Sequence, residues 1–132
     1  MKDPAAGALA RNILIVEDAS TCAETLEAAF SRIPRISLVF TNSAEDALEL
    51  LHHSSFAALI TDINLPGMDG LELVSRLRSS NHPYSMPILV ISGDPNPDTP
   101  QRALRAGANA FFAKPFSPAA VRRMLEELLD EN

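Results

Sequence analysis

The sequence predicts an α/β domain of the (βα)5 type: a doubly wound, five-stranded parallel sheet with helices on both faces. Three observations carry this expectation. Short apolar runs alternate along the chain with segments of helical spacing. The runs are largely apolar and do not alternate with polar residues, as in strands covered on both faces. Strands that alternate with helices pair in parallel through right-handed crossovers.

The first run is Ile13-Leu14-Ile15-Val16, and Ile36-Ser37-Leu38-Val39-Phe40 is the second. Phe56–Ile60, Pro87–Ile91 and Asn109–Ala113 complete the set. All are too short for helices and rich in β-branched or aromatic residues. Between them, Cys22, Leu26 and Ala29 share one helical face. Ala44, Ala47, Leu48 and Leu51 form a second stripe, opened by Ser43 with Asp46 three residues on, a cap-like start. Leu71, Val74 and Leu77 line a third, and Ala103, Leu104 and Gly107 mark a short fourth. The fifth begins with Ser117 as N-cap and Pro118 in the first turn, then Val121, Met124, Leu125 and Leu128.

At 132 residues the chain makes one domain, with residues 1–10 as an Ala-rich arm and 11–132 as the folded part. Apolar residues make up 46%, enough for one packed core. The net charge of −6 argues against direct nucleic-acid binding, which needs clustered Lys and Arg, and mildly favours a cation site. One cysteine, Cys22, rules out an internal disulfide and fits a reducing compartment. No apolar run reaches the ~18 residues of a membrane span. The N-terminus lacks the apolar core of a signal peptide, so the expected location is the cytoplasm, without membrane insertion.

Sites in open parallel sheets form beyond the carboxyl ends of the strands. The first strand ends in Glu17-Asp18, the third in Thr61-Asp62, the fourth in Ser92-Gly93 and the fifth in Lys114-Pro115. Three carboxylates at one edge repel one another unless a cation joins them, and Mg²⁺ is the default hard ion for such a donor set. Lys114 adds a second positive charge. A phosphoryl group arriving on one carboxylate would find its charge offset there, with the Ser92 hydroxyl as a hydrogen-bond donor. Taken singly, each residue has an ordinary structural reading. Asp18 serves as a helix cap, Glu17 as a solvated strand end, Asp62 and Ser92 as turn residues, and Lys114 as a surface lysine. Their joint placement at one edge favours chemistry.

The segments ILIVEDAS, TDINLPGMDGLEL, PILVISG and AGANAFFAKPF resemble those of response-regulator receiver domains, including the single-domain chemotaxis regulators. The spacing agrees as well: 44 positions from Asp18 to Asp62, 30 to Ser92 and 22 more to Lys114. The resemblance implies a flavodoxin-like fold and a role in two-component signalling. It implies Asp62 as phospho-acceptor, and Glu17, Asp18, Asp62 and the main-chain carbonyl of Asn64 as Mg²⁺ ligands. It further implies Ser92 and Phe111 as the switch pair, Lys114 as the partner of the phosphoryl group, and a cis bond before Pro115. The implied donor is a sensor histidine kinase or a histidine phosphotransfer protein, docking near Ala19, Ser20 and Cys22. Output would be a contact with a protein target on the face of the fourth helix and fifth strand. No output domain follows the fifth helix, so the chain is expected to be stand-alone or cut from a longer protein.

Some features depart from the pattern. Pro95, Pro97 and Pro100 come after Ser92 and should delay and shorten the fourth helix. Phe111 stands where tyrosine is commoner, and Asn64 and Asp94 occupy places that tune phosphoryl lifetime in relatives. Two rival readings keep the fold. One is a phosphorylation-independent adaptor. The other is a metal-dependent phosphatase with an aspartate nucleophile, for which Asn64 replaces the second aspartate such enzymes use. A nucleotide- or flavin-binding module would want a phosphate loop where Glu17-Asp18-Ala19 stands.

Overall fold

A computed structural model describes residues 10–81 and 83–130, so the arm expected over residues 1–10 lies, apart from Ala10, outside the described residues. Five strands and five helices alternate. They are β1 (Arg11–Val16), α1 (Ser20–Phe30), β2 (Ile36–Thr41), α2 (Ala44–His53), β3 (Ala58–Asp62), α3 (Gly70–Ser79), β4 (Ile88–Ser92), α4 (Thr99–Ala106), β5 (Ala110–Ala113) and α5 (Pro118–Asp130). The sheet is parallel throughout, in the order β2-β1-β3-β4-β5. The chain leaves β1 toward one side and returns to β3 on the other, which sets the switch point between these two strands.

Largely apolar runs become strands with two covered faces. Leu14 and Val16 point into a layer with α2, α3 and α4, and Ile13 and Ile15 into a layer with α1 and α5. β3 and β4 are buried along their whole length, whereas the edge strands β2 and β5 are partly exposed. The helix starts follow their capping residues. Ser43 Oγ accepts from the Asp46 amide at 3.1 Å, and Ser117 Oγ from the Ala120 amide at 3.1 Å.

Two expectations for the fourth helix need correction. Leu104 is not on a buried stripe; it is 51% exposed. Gly107 lies past the helix end as its C-cap, at φ 120°. The cause is the proline-bearing segment before it. α4 spans only eight residues; Thr99 and Ala103 are its buried residues, and Ala106 packs on the core partly buried. That segment is held by a ladder of side-chain turns. The amides of Asp94, Asn96 and Asp98 donate to Ser92 Oγ, Asp94 Oδ1 and Asn96 Oδ1, at 3.0, 3.0 and 2.9 Å.

Arg78 has no distinguishing mark in the sequence, yet it ties α3 to the approach to β4 and to the turn between α4 and β5. Its guanidinium donates to the carbonyls of Gly107, Tyr84 and Met86 and to Asn109 Oδ1, all at 2.7–2.9 Å. Arg78→Met keeps the apolar stem and strands these acceptors. We expect a loss of about 2–4 kcal/mol, near 10 °C in Tm, by thermal denaturation. An unchanged Tm would contradict this.

Candidate functional site

Glu17 directly succeeds β1, and its amide donates to the Thr41 carbonyl at 2.9 Å, continuing the strand ladder. Glu17 is 7% exposed and Asp62, the last residue of β3, 6%. Asp18 is exposed and does not cap α1, whose N-cap is Ala19. Ser92 closes β4, fully buried. The β4–β5 register pairs Ser92 with Ala113 and so delivers Lys114 to the same edge. The Lys114 amide donates to the Ser92 carbonyl at 2.8 Å, and the Lys114–Pro115 peptide is cis.

Lys114 Nζ donates to Glu17 Oε1 and to Asp62 Oδ2, both at 2.9 Å. Burial pulls this ammonium down, but the carboxylates of Asp62 and Glu17 outweigh it and hold the group well above the ordinary lysine range. The other Asp62 oxygen, Oδ1, accepts from the amides of Ile63 at 2.6 Å and Asn64 at 3.3 Å. Both oxygens of the Asp62 carboxylate are thereby oriented. Glu17 Oε2 accepts from the Ala19 amide at 3.0 Å.

Carboxylate oxygens of Glu17, Asp18 and Asp62 lie within 4.8 Å of one another. A set of hard oxygen donors this close fits a hard divalent cation. A single ammonium cannot balance three carboxylates. Cys22 stands beside Glu17; burial first, and the Glu17 carboxylate next, push its thiol up to about 12. The thiol is half-buried and packs against the layer of α1 and α5.

The sequence-predicted residues do not all meet. Glu17, Asp18, Asp62 and Lys114 form one cluster. Ser92 adjoins it, its Oγ accepting from the Asp94 amide. Asn64 is exposed and reaches Asp62 through its amide. Phe111 sits apart on β5, half-buried against the layer of α2, α3 and α4 and paired in register with Val90. Sequence reading missed Gly70. A Cβ built there would overlap the Asp62 carbonyl oxygen and stand 2.8 Å from its carbonyl carbon. The signal was available in Asp69-Gly70, a capping residue and a glycine at the start of an apolar stripe.

Residues 13–126 match the family model of the response regulator receiver domain. The chain belongs to the receiver family. Among related proteins, this receiver is 32% identical to the chemotaxis protein CheY of Pseudomonas aeruginosa, over 89% of its own length and 95% of that protein's. It superposes on the receiver domain of a signal transduction histidine kinase from Syntrophus aciditrophicus with a TM-score of 0.83 at 26% identity, covering 92% of each chain. A further fold neighbour is the receiver domain of a sensor histidine kinase from Pseudomonas aeruginosa PAO1, described with a magnesium ion coordinated in its active site cleft. It superposes with a TM-score of 0.79 at 24% identity, over 92% of this receiver and 98% of that one. The parallel five-stranded architecture is the one expected from the sequence, and the chain is a receiver module of two-component signalling. Among the described residues, no helix is long and apolar enough to cross a membrane.

Proposed function

We propose that this receiver works by phosphorylation of Asp62. The observation that supports it is the Asp62 carboxylate itself: buried at the switch point, one oxygen on backbone amides and the other on Lys114. A histidine kinase or a histidine phosphotransfer protein presents a phosphohistidine. A carboxylate oxygen of Asp62 attacks phosphorus, an O–P bond forms, the P–N bond breaks, and its electron pair returns to the imidazole nitrogen. The product is an acyl phosphate on Asp62. Glu17, Asp18, Asp62 and the Asn64 carbonyl would hold Mg²⁺, which when bound supplies positive charge against the phosphoryl oxygens. Lys114 follows the charge from the free carboxylate to the phosphoryl group. Ser92 Oγ accepts from Asp94 and keeps its own proton to donate to a phosphoryl oxygen. Drawing Ser92 toward Asp62 would release Phe111 and the start of α4, and so change a contact with a downstream protein target.

The test uses acetyl phosphate as donor. We expect a Mg²⁺-dependent gain of one phosphoryl group, abolished by EDTA, with borohydride reduction and peptide mass spectrometry placing it on Asp62. Equal labelling in EDTA, or a label on another residue, would overturn the proposal.

A further inference from the structure

The loop from Ile63 to Asp69 leaves the Asp62 carboxylate and returns to α3. Its neck is closed by the Gly70 amide, which donates to the Ile63 carbonyl at 2.8 Å. Its tip is held from outside, by a residue 17 positions upstream of Asp62. Glu45 Oε2, in the first turn of α2, accepts from the Met68 amide at 2.9 Å. Beside it Gly67 adopts φ 75°, and a Cβ there would stand 2.6 Å from that same oxygen. The tip is therefore shaped around the carboxylate: glycine provides both the left-handed turn and the space for it. Three influences keep Glu45 ionised and in place. The Met68 amide is the largest and lowers its pKa, and the backbone amide of Glu45 itself acts in the same direction. The N-terminus of α2 adds its favourable dipole.

We propose that Glu45 is a positioning residue for the phosphorylation site, fixing the β3–α3 loop at its tip so that Asn64 is held beside Asp62. This rests on the proposed function above, and in particular on the Asn64 carbonyl as a metal ligand. With the neck alone closed, residues 64–69 would keep the freedom of a short loop, and ordering them would weaken cation binding. The clamp also links α2 to the site, although no α2 residue reaches the acidic cluster.

The experiment compares the wild type with Glu45→Ala, Glu45→Gln and, as a control on the same helix, Glu49→Ala. Three readouts are taken: Mg²⁺ titration by amide NMR shifts, hydrogen exchange at the Met68 amide, and labelling by acetyl phosphate at graded Mg²⁺. For Glu45→Ala we expect the Mg²⁺ concentration at half-saturation to rise about tenfold. Met68 exchange should quicken by a similar factor, while the labelling rate at saturating Mg²⁺ stays near that of the wild type. Glu45→Gln keeps an acceptor oxygen and should restore most of both, and Glu49→Ala should change neither. Unchanged Mg²⁺ affinity in Glu45→Ala would overturn the proposal, as would a fall in stability with no change in Met68 exchange. Failure of the wild type to label at all would strike the phospho-acceptor reading instead. The clamp would then still be decided by the exchange and Mg²⁺ measurements.

Discussion

An Asp62→Asn variant is expected to take no phosphoryl label and yet to melt higher than the wild type in metal-free buffer. The first half follows from chemistry, since an amide oxygen is no nucleophile toward phosphorus. The second follows from the charges. Asp62 lies within 4.8 Å of carboxylate oxygens of both Glu17 and Asp18 and 2.9 Å from Lys114 Nζ. At an effective dielectric of about 20, each repulsion is about 3.5 kcal/mol or more, and the attraction about 5.7 kcal/mol. The two repulsions, about 7 kcal/mol together, outweigh the attraction, so neutralising Asp62 relieves about 1 kcal/mol, or about 2–5 °C in Tm. The one amide oxygen introduced by the substitution would still accept from the Ile63 amide, whereas Lys114 Nζ loses this acceptor and keeps Glu17 Oε1. Addition of Mg²⁺ should reverse the order, because the wild type keeps all three charged donors and gains more from binding. Thermal melts with and without Mg²⁺, beside a labelling assay, check both halves. A variant that melts lower in EDTA would show that pairing with Lys114 dominates the cluster.

Gly70→Ala is expected to lose about 3 kcal/mol or more, because the new methyl meets backbone and not a movable side chain. Its neighbours are the Asp62 carbonyl group and Ile63 Cα, the latter at 3.0 Å. Relief requires shifting the start of α3 away from β3. That shift pulls against Leu71, Leu73, Val74 and Leu77, all buried. It also breaks the closed neck of the loop, so labelling of the folded fraction should slow by about tenfold or more. Gly93→Ala provides the contrast, since a Cβ there meets only Lys114 carbons at 3.8 and 3.9 Å, an ordinary contact. Chemical denaturation of both variants gives the measurement. Equal stability of the two would mean that the β3–α3 junction yields more easily than its close packing implies.

Most of the fold was legible because it rests on local pattern. The strand runs are continuous where both faces are covered, as at β3 and β4, and their ends shifted by no more than two residues. The site was legible through a rule of topology: five strands in parallel put Glu17, Asp18, Asp62, Ser92 and Lys114 at one edge however the helices pack. Whatever stayed hidden depends on contacts between distant segments. Arg78 looks like any surface arginine on α3 until the carbonyls of Tyr84, Met86 and Gly107 converge on it. Glu45 reads as a helix-start acid, and its hold on Met68 spans 23 positions. Leu104 was misplaced because a stripe of three residues on so short a helix does not define which face meets the sheet.

The ladder of side-chain turns after Ser92 has a consequence for the length of that loop. Each rung joins a residue to the one two places on, so donors and acceptors recur in pairs. Each rung is local, so one residue inserted between Ser92 and Asp98 breaks the rung that it enters and leaves the others as they are. A change of length there costs about one hydrogen bond, roughly 1 kcal/mol, rather than the whole segment.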